Sequence, residues 1–269
     1  MIRRILIAGA GNMGAWLAET MCLEYEVAVY DKEPDKLKYL FNTYRFRTLG
    51  EIGEYNPQLF INAVGLKDTE QAFKEIIPYL PKDCIIADIS SVKNGLSEFY
   101  ASSGMRFVST HPMFGTTFGN VRDLSGQNAI IISESDIAGK EFFARFYTKL
   151  KLELFEYTFF EHDQTIAYSL SVPFSSTIVF SACMKKLEVP GTTFRKHLNI
   201  AHGLLSEDDY LLSGILLNPY SIGKLSEIMA RLKDLINMLN NEDEEGLHTL
   251  FRKLRINLGM LPEVAESEA

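Results

Sequence analysis

The stretch ILIAGAGNMG, residues 5–14, decides the fold. Ile5 to Ala8 form an apolar run with no polar break, the pattern of a strand covered on both faces, and Gly9, Gly11 and Gly14 follow at the G-x-G-x-x-G spacing. A turn without Cβ atoms at Gly9 and Gly11 lets backbone amides at a helix N-terminus approach a pyrophosphate, while Gly14 lets that helix lie close on the sheet. About twenty residues on, Glu26-Val27-Ala28-Val29-Tyr30 reads as a second strand ending at Asp31, where a carboxylate accepts hydrogen bonds from ribose hydroxyls and repels a 2′-phosphate. That favours NAD over NADP, with Lys32 beside it working the other way. The candidate cofactor-binding set is Gly9, Gly11, Asn12, Met13, Gly14 and Asp31. Met13, like Trp16, also reads as a packing residue.

Outward from this unit, apolar strands alternate with helical stretches: Leu59 to Val64, Cys84 to Ile89, Arg106 to Ser109, Asn128 to Ile132 and Leu152 to Tyr157. The pattern predicts an α/β chain whose N-terminal part is a doubly wound, Rossmann-like, mostly parallel sheet over residues 1–158. After Phe159 nothing reads as strand, and an all-α domain is expected over 159–269. There, Phe160 to Leu187 is a long helical pattern with Pro173 as a kink, followed by Asp208 to Leu217, Ser221 to Asn240 and Glu244 to Leu258. Within the third, Ile222, Leu225, Ile228, Met229, Leu232, Leu235, Ile236 and Leu239 recur at spacings of three and four, one apolar face of a helix.

Two further runs carry the chemistry. Ser90-Ser91-Val92-Lys93 follows the strand ending ADI, and His111-Pro112 sits just past the end of the next strand. Successive strands ending on the same side bring a hydroxyl, an amine and an imidazole to the edge where open α/β sheets bind ligands. That set suits alcohol oxidation, with His111 accepting the hydroxyl proton, Ser91 fixing the oxygen and Lys93 offering charge to an anionic substrate. On this reading turnover rises with pH through about 6.5, the ordinary histidine value. Other readings stay open: His111 as a turn residue, Ser91 as the cap of a helix beginning near Val92, and Lys93 as a solvated lysine.

GAGNMG, DISSVKNG, THPMFG and the EHDQ of residues 161–164, in that order, resemble the prephenate dehydrogenase family, which includes the arogenate dehydrogenases; the similarity runs over residues 4–260. The resemblance implies His111 as the base toward the ring hydroxyl of prephenate, Ser91 bonded to that hydroxyl and to the histidine, and Lys93 helping to hold the substrate or cofactor. It implies hydride transfer to NAD with loss of the ring carboxylate and aromatisation to 4-hydroxyphenylpyruvate. His162 joins as a substrate-binding candidate, or else His162-Asp163 only caps the first helix of the second domain. Where the family places an arginine for the substrate's side-chain carboxylate, this chain has His202, with Arg195 seven residues earlier and so on the same helical face. Ser171 and Phe174 lie where relatives often carry another histidine. Thr116, just after HPMFG, offers no countercharge to an ammonium and so favours prephenate over arogenate. The family's helical domain implies a homodimer through the C-terminal helices.

With 269 residues, 46% of them hydrophobic, the chain can bury two cores. A formal charge of −8 argues against nucleic acid or an anionic membrane as partner. Three scattered cysteines indicate neither a disulfide framework nor a metal site. No stretch reads as a membrane span, and the N-terminus enters the first strand directly, so a cytoplasmic protein is expected. The alternatives are another dehydrogenase of this architecture, for arogenate or a β-hydroxyacid, and a dinucleotide-binding regulatory protein without catalysis.

Overall fold

The computed structural model describes residues 2–115, 123–185 and 187–262. Among them, strands β1 (Arg4–Ala8), β2 (Glu26–Tyr30), β3 (Tyr44–Phe46), β4 (Leu59–Asn62), β5 (Ile85–Asp88), β6 (Arg106–Pro112), β7 (Asn128–Ile132) and β8 (Glu153–Tyr157) form one sheet. Its order is β3-β2-β1-β4-β5-β6-β7-β8, parallel throughout except between β6 and β7. Helices α1 (Asn12–Met21), α2 (Gly50–Tyr55), α3 (Thr69–Ile76), α4 (Leu96–Ser103) and α5 (Ile137–Lys149) connect the strands. After β8 come α6 (Phe159–Ile166), α7 (Val172–Cys183), α8 (Thr192–Leu205), α9 (Asp209–Leu216), α10 (Ser221–Asn240) and α11 (Glu244–Asn257).

The unbroken apolar run of β1 is explained by helices on both faces of the sheet. Side chains alternate with period two: Ile5, Ile7 and Val29 join the core of α1 and α5 with Leu17, Met21 and Phe143, whereas Leu6, Ala28 and Phe60 join Ile52, Phe73 and Tyr100 of α2, α3 and α4. Burying each such aliphatic side chain contributes about 1.5–3 kcal/mol, so the sheet centre is the firmest part of the chain. Trp16 packs edge-on against Phe114 and Phe146.

Two local expectations change, and one strand is added. The edge strand β3 was not readable, being three residues long and exposed at Tyr44 and Arg45. His111 and Pro112 lie within β6, not beyond it, because antiparallel β7 prolongs the ladder and pairs Ile130 with His111 and Ala129 with Pro112. No helix begins near Val92; α4 starts at Leu96 behind Gly95 at φ 79°, so Ser91 caps nothing.

The run Phe159–Cys183 is helical throughout, with a π-helical turn at Ala167–Ser171 directly before Pro173. Proline lacks the N–H that would serve the carbonyl one turn back, and the wider turn accommodates that gap. By length and composition alone this run is apolar enough to cross a membrane, contrary to the sequence expectation. Some of its hydroxyls bond within the helix, Ser175 to the Ser171 carbonyl and Ser181 to the Thr177 carbonyl, which hides their polarity, whereas the Ser171 hydroxyl bonds the Ile215 carbonyl and Ser221.

The chain divides into two compact units, Met1–Ser221 and Ile222–Ala269. Strand gives way to helix between Tyr157 and Phe159, yet α6 to α9 stay with the sheet. His162 of α6 bonds His111 of β6, Asn218 bonds the Asp163 carbonyl, and Gly214 of α9 lies so close to Leu66 that a Cβ would meet its Cδ2 at 2.5 Å. The second unit is the rest of α10 with α11, joined by a short turn.

Candidate active site

The glycine loop is built for close approach. Gly9 has φ 95°, and its Cβ would stand 2.7 Å from the Ala63 carbonyl oxygen at the end of β4; a Cβ on Gly14 would stand 1.9 Å from the Gly9 carbonyl oxygen. Gly11 faces open space, and as N-cap of α1 it provides no side-chain acceptor for the first amides of that helix. Since β2 and β4 flank β1 on opposite sides, the loop stands at the point where strand order reverses. Unpartnered amides, a helix N-terminus and no Cβ fit a dinucleotide pyrophosphate. Asn12 is exposed, and Met13 packs partly against the core.

Asp31 does more than present a carboxylate. Its Oδ2 accepts from the Ala10 amide at 2.7 Å and its Oδ1 from the Glu33 amide at 2.8 Å, so it braces the glycine loop across the β1–β2 crevice. Lys32 pairs with Glu75 at 2.9 Å, which engages the charge that would otherwise attract a 2′-phosphate.

At the ends of β5 and β6 lies a buried polar cluster. The Lys93 ammonium donates to Asp88 Oδ2 at 2.5 Å and to the Thr110 carbonyl at 2.8 Å. Asp88 also accepts from the Tyr100 hydroxyl at 2.7 Å and the Ser90 amide at 2.9 Å, closing the SSVK loop onto its strand. Lys93 is therefore neither a solvated lysine nor a free cation. Burial holds its pKa below the ordinary lysine value, opposed by Asp88. The Ser91 hydroxyl, half-buried beside this loop, has no hydrogen-bond partner among the described residues, so the bond to His111 that the resemblance implies is not formed.

His111 Nδ1 is 3.0 Å from His162 Nε2, and His162 Nδ1 is 3.1 Å from Asp163 Oδ1. Burial, then the neighbouring His162 and Lys93, push His111 well below 6.5. Burial pushes His162 down to about 3 and raises Asp163 to about 6. Both imidazoles are thus neutral at neutral pH, and His111 Nε2 has no partner among the described residues. An uncharged imidazole with a free nitrogen, next to a clamped loop at the carboxyl edge of a parallel sheet, can accept a proton from an alcohol.

His162 does not cap α6. Thr158 does, in a capping box in which its side chain accepts from the Glu161 amide and the Glu161 carboxylate accepts from the Thr158 amide. The T-x-x-E at 158–161 is a signal the sequence reading missed, as it missed Asp88, Tyr100 and Asp163 as members of the cluster. Arg195 and His202 are exposed on α8, and among the described residues neither bonds to the cluster. Thr116 lies outside the described residues.

Residues 55–147 match the family model described as prephenate dehydrogenase, nucleotide-binding domain. A probable arogenate/prephenate dehydrogenase of Methanocaldococcus jannaschii is 23% identical over 94% of the chain and 60% of its own length; a T-protein of Enterobacter agglomerans is 23% identical over 93% and 66%. The chain thus spans about 60–66% of the length of these curated relatives. Among solved structures, prephenate dehydrogenase from A. aeolicus, in complex with hydroxyphenyl propionate and NAD+, superimposes with a TM-score of 0.83 at 17% identity, covering 97% of this chain and 98% of that one. Synechocystis arogenate dehydrogenase gives 0.76 at 15% identity over 96% and 99%. These likenesses establish the fold, and residues 55–147 are similar to the nucleotide-binding domain of prephenate dehydrogenases.

Proposed function

We propose that this protein is an NAD-dependent dehydrogenase that oxidises and decarboxylates prephenate to 4-hydroxyphenylpyruvate in tyrosine biosynthesis. The observation that carries the reading is the buried, neutral His111, bonded through Nδ1 to His162 and with Nε2 free of any partner among the described residues. Gly9, Gly11, Asn12, Met13 and Gly14 hold the cofactor pyrophosphate, and Asp31 meets the ribose. When bound, the nicotinamide supplies the hydride acceptor. His111 takes the ring-hydroxyl proton as hydride leaves carbon four and returns it to the phenolate oxygen once the ring carboxylate departs as carbon dioxide, so no net proton is released. Ser91 orients that oxygen. The Asp88–Lys93 pair holds the SSVK loop that carries Ser91. Arg195 and His202 are proposed partners for the side-chain carboxylate, and Thr116 for discrimination against the ammonium of arogenate.

In this reading, residues 1–158 bind the nucleotide and 159–269 serve the substrate and dimerisation. Exposed Ile222, Met229, Leu232 and Leu239 on α10, with Leu254 on α11, supply an apolar face for a second copy. The protein would then act as a cytoplasmic homodimer. The deciding experiment is the initial rate with prephenate and with arogenate, each with NAD and with NADP. Prephenate with NAD fastest supports the proposal; arogenate fastest replaces its substrate; no turnover in any pairing overturns it in favour of a silent dinucleotide-binding protein.

A further inference from the structure

The EHDQ segment has a role that cofactor binding and hydride transfer leave unexplained. His162 is fully buried, bonded on one side to His111 and on the other to Asp163. An ionised carboxylate can only accept, so His162 Nδ1 carries the ring proton and its Nε2 presents a lone pair. Nothing but a donor can face that lone pair at 3.0 Å, so His111 carries its proton on Nδ1. A neutral ring has one such proton. Its Nε2 is consequently unprotonated, the form needed to receive a hydroxyl proton.

We propose that His162, oriented by Asp163, is the positioning residue that fixes His111 in its Nδ1–H tautomer and in its rotamer, making Nε2 the base. This rests on the proposed dehydrogenase activity and deepens it. The arrangement is fixed from several sides. The Thr158–Glu161 capping box sets where α6 begins and hence which turn carries His162, and the Asn218 side chain donates to the Asp163 carbonyl at 2.9 Å, tying the same turn to the end of α9. When His111 receives the substrate proton on Nε2, its Nδ1–H bond to His162 becomes charge-assisted, with the Asp163 carboxylate one ring beyond. Lys93 is kept from opposing this charge alone by its pairing with Asp88. Two imidazoles in simple van der Waals contact would make no such demand on proton position.

The test combines tautomer and rate. Protein labelled with nitrogen-15 at its five histidines is read by long-range proton–nitrogen correlation, assigned with His111→Asn. The expected spectrum has wild-type His111 protonated on Nδ1; protonation on Nε2 overturns the proposal, whatever the enzyme turns over. In kinetics, His162→Leu lowers kcat by about 100-fold or more with little change in the Kd of NAD, and His162→Gln, whose amide oxygen can still accept from Nδ1, recovers at least part of the loss. Asp163→Asn gives an independent arm, since an amide can donate to His162 Nδ1 and reverse the tautomers along the chain. Its kcat falls by a comparable factor and the His111 proton moves. A folded His162→Leu or Asp163→Asn protein that keeps kcat within threefold overturns the proposal. If wild-type protein turns over neither prephenate nor arogenate, the functional reading fails while the spectrum still decides the tautomer.

Discussion

Lys93 and Asp88 form an ion pair in which both side chains are completely buried, five residues apart along the chain and closing the loop that carries Ser91. Breaking a buried pair leaves one charge without a partner, a cost of about 3–5 kcal/mol, although replacing both partners is far milder. Lys93→Met should therefore lower the melting temperature by roughly 6–20 °C at about 2–4 °C per kcal/mol. The double variant Asp88→Asn/Lys93→Met should recover most of that in the same calorimetric experiment. A Lys93→Met protein that melts within 2–3 °C of wild type would sink the view that Lys93 mainly serves the fold of this loop.

Gly11 and Gly14 should separate cofactor binding from folding. A Cβ at Gly11 meets nothing, so Gly11→Ala should leave the melting temperature within about a degree yet weaken NAD binding by tenfold or more, because the methyl group intrudes where the pyrophosphate approaches. A Cβ at Gly14 meets the Gly9 carbonyl oxygen at 1.9 Å, so Gly14→Ala should lose both stability and binding. Isothermal titration with NAD, paired with thermal melts, reads both quantities. Equal NAD affinity for wild type and Gly11→Ala would remove the loop from the cofactor site.

The expected pH dependence moves away from histidine. Burial and the positive neighbour Lys93 keep His111 and His162 neutral through 6.5, whereas Asp163 titrates at about 6. The rise of turnover with pH expected from an ordinary histidine is thus replaced by an acid limb near 6 that belongs to Asp163, within the set His111, His162, Lys93, Asp88 and Asp163. In Asp163→Asn the residual activity should lack that limb; a limb near 6.5 that survives there restores His111 as its source. Stability has its own sign. A histidine with a depressed folded pKa contributes stability that is complete above 6.5 and is lost as pH falls toward the folded value, at up to about 1.4 kcal/mol per pH unit for each ring. Asp163, raised when folded, acts oppositely between 3.8 and about 6. The melting temperature should fall on acidification below 6.5, and His162→Leu should flatten that fall.

Met229 and Leu232 are 67% and 51% exposed on α10, a costly arrangement for a helix face unless something covers it. If the cover is a second copy, light scattering should give twice the 30.5 kDa chain mass, and Met229→Glu/Leu232→Glu should return it to one. A wild-type monomer at micromolar concentration would refute the dimer.

Much of the architecture is local and was therefore legible in the amino-acid order. Unbroken apolar runs marked β1, β2, β4, β5 and β7, glycine spacing marked the turn into α1, and periods of three and four marked α10 and α11, since each signal depends on neighbours within a few positions. His111 and Lys93 were visible as chemistry-bearing residues in specific motifs. What they bond to was not visible. The extension of β6 past His111 needs β7 to arrive antiparallel, the burial of Lys93 needs Asp88, Tyr100 and the Thr110 carbonyl to converge, and the His111–His162–Asp163 chain joins positions 51 residues apart. Residue types and local periodicity set which groups are present and which element each rides on. Hydrogen-bond partners, protonation states and tautomers depend on distances of about 3 Å and on the exclusion of water, and only the packing of α6 against the end of the sheet decides those.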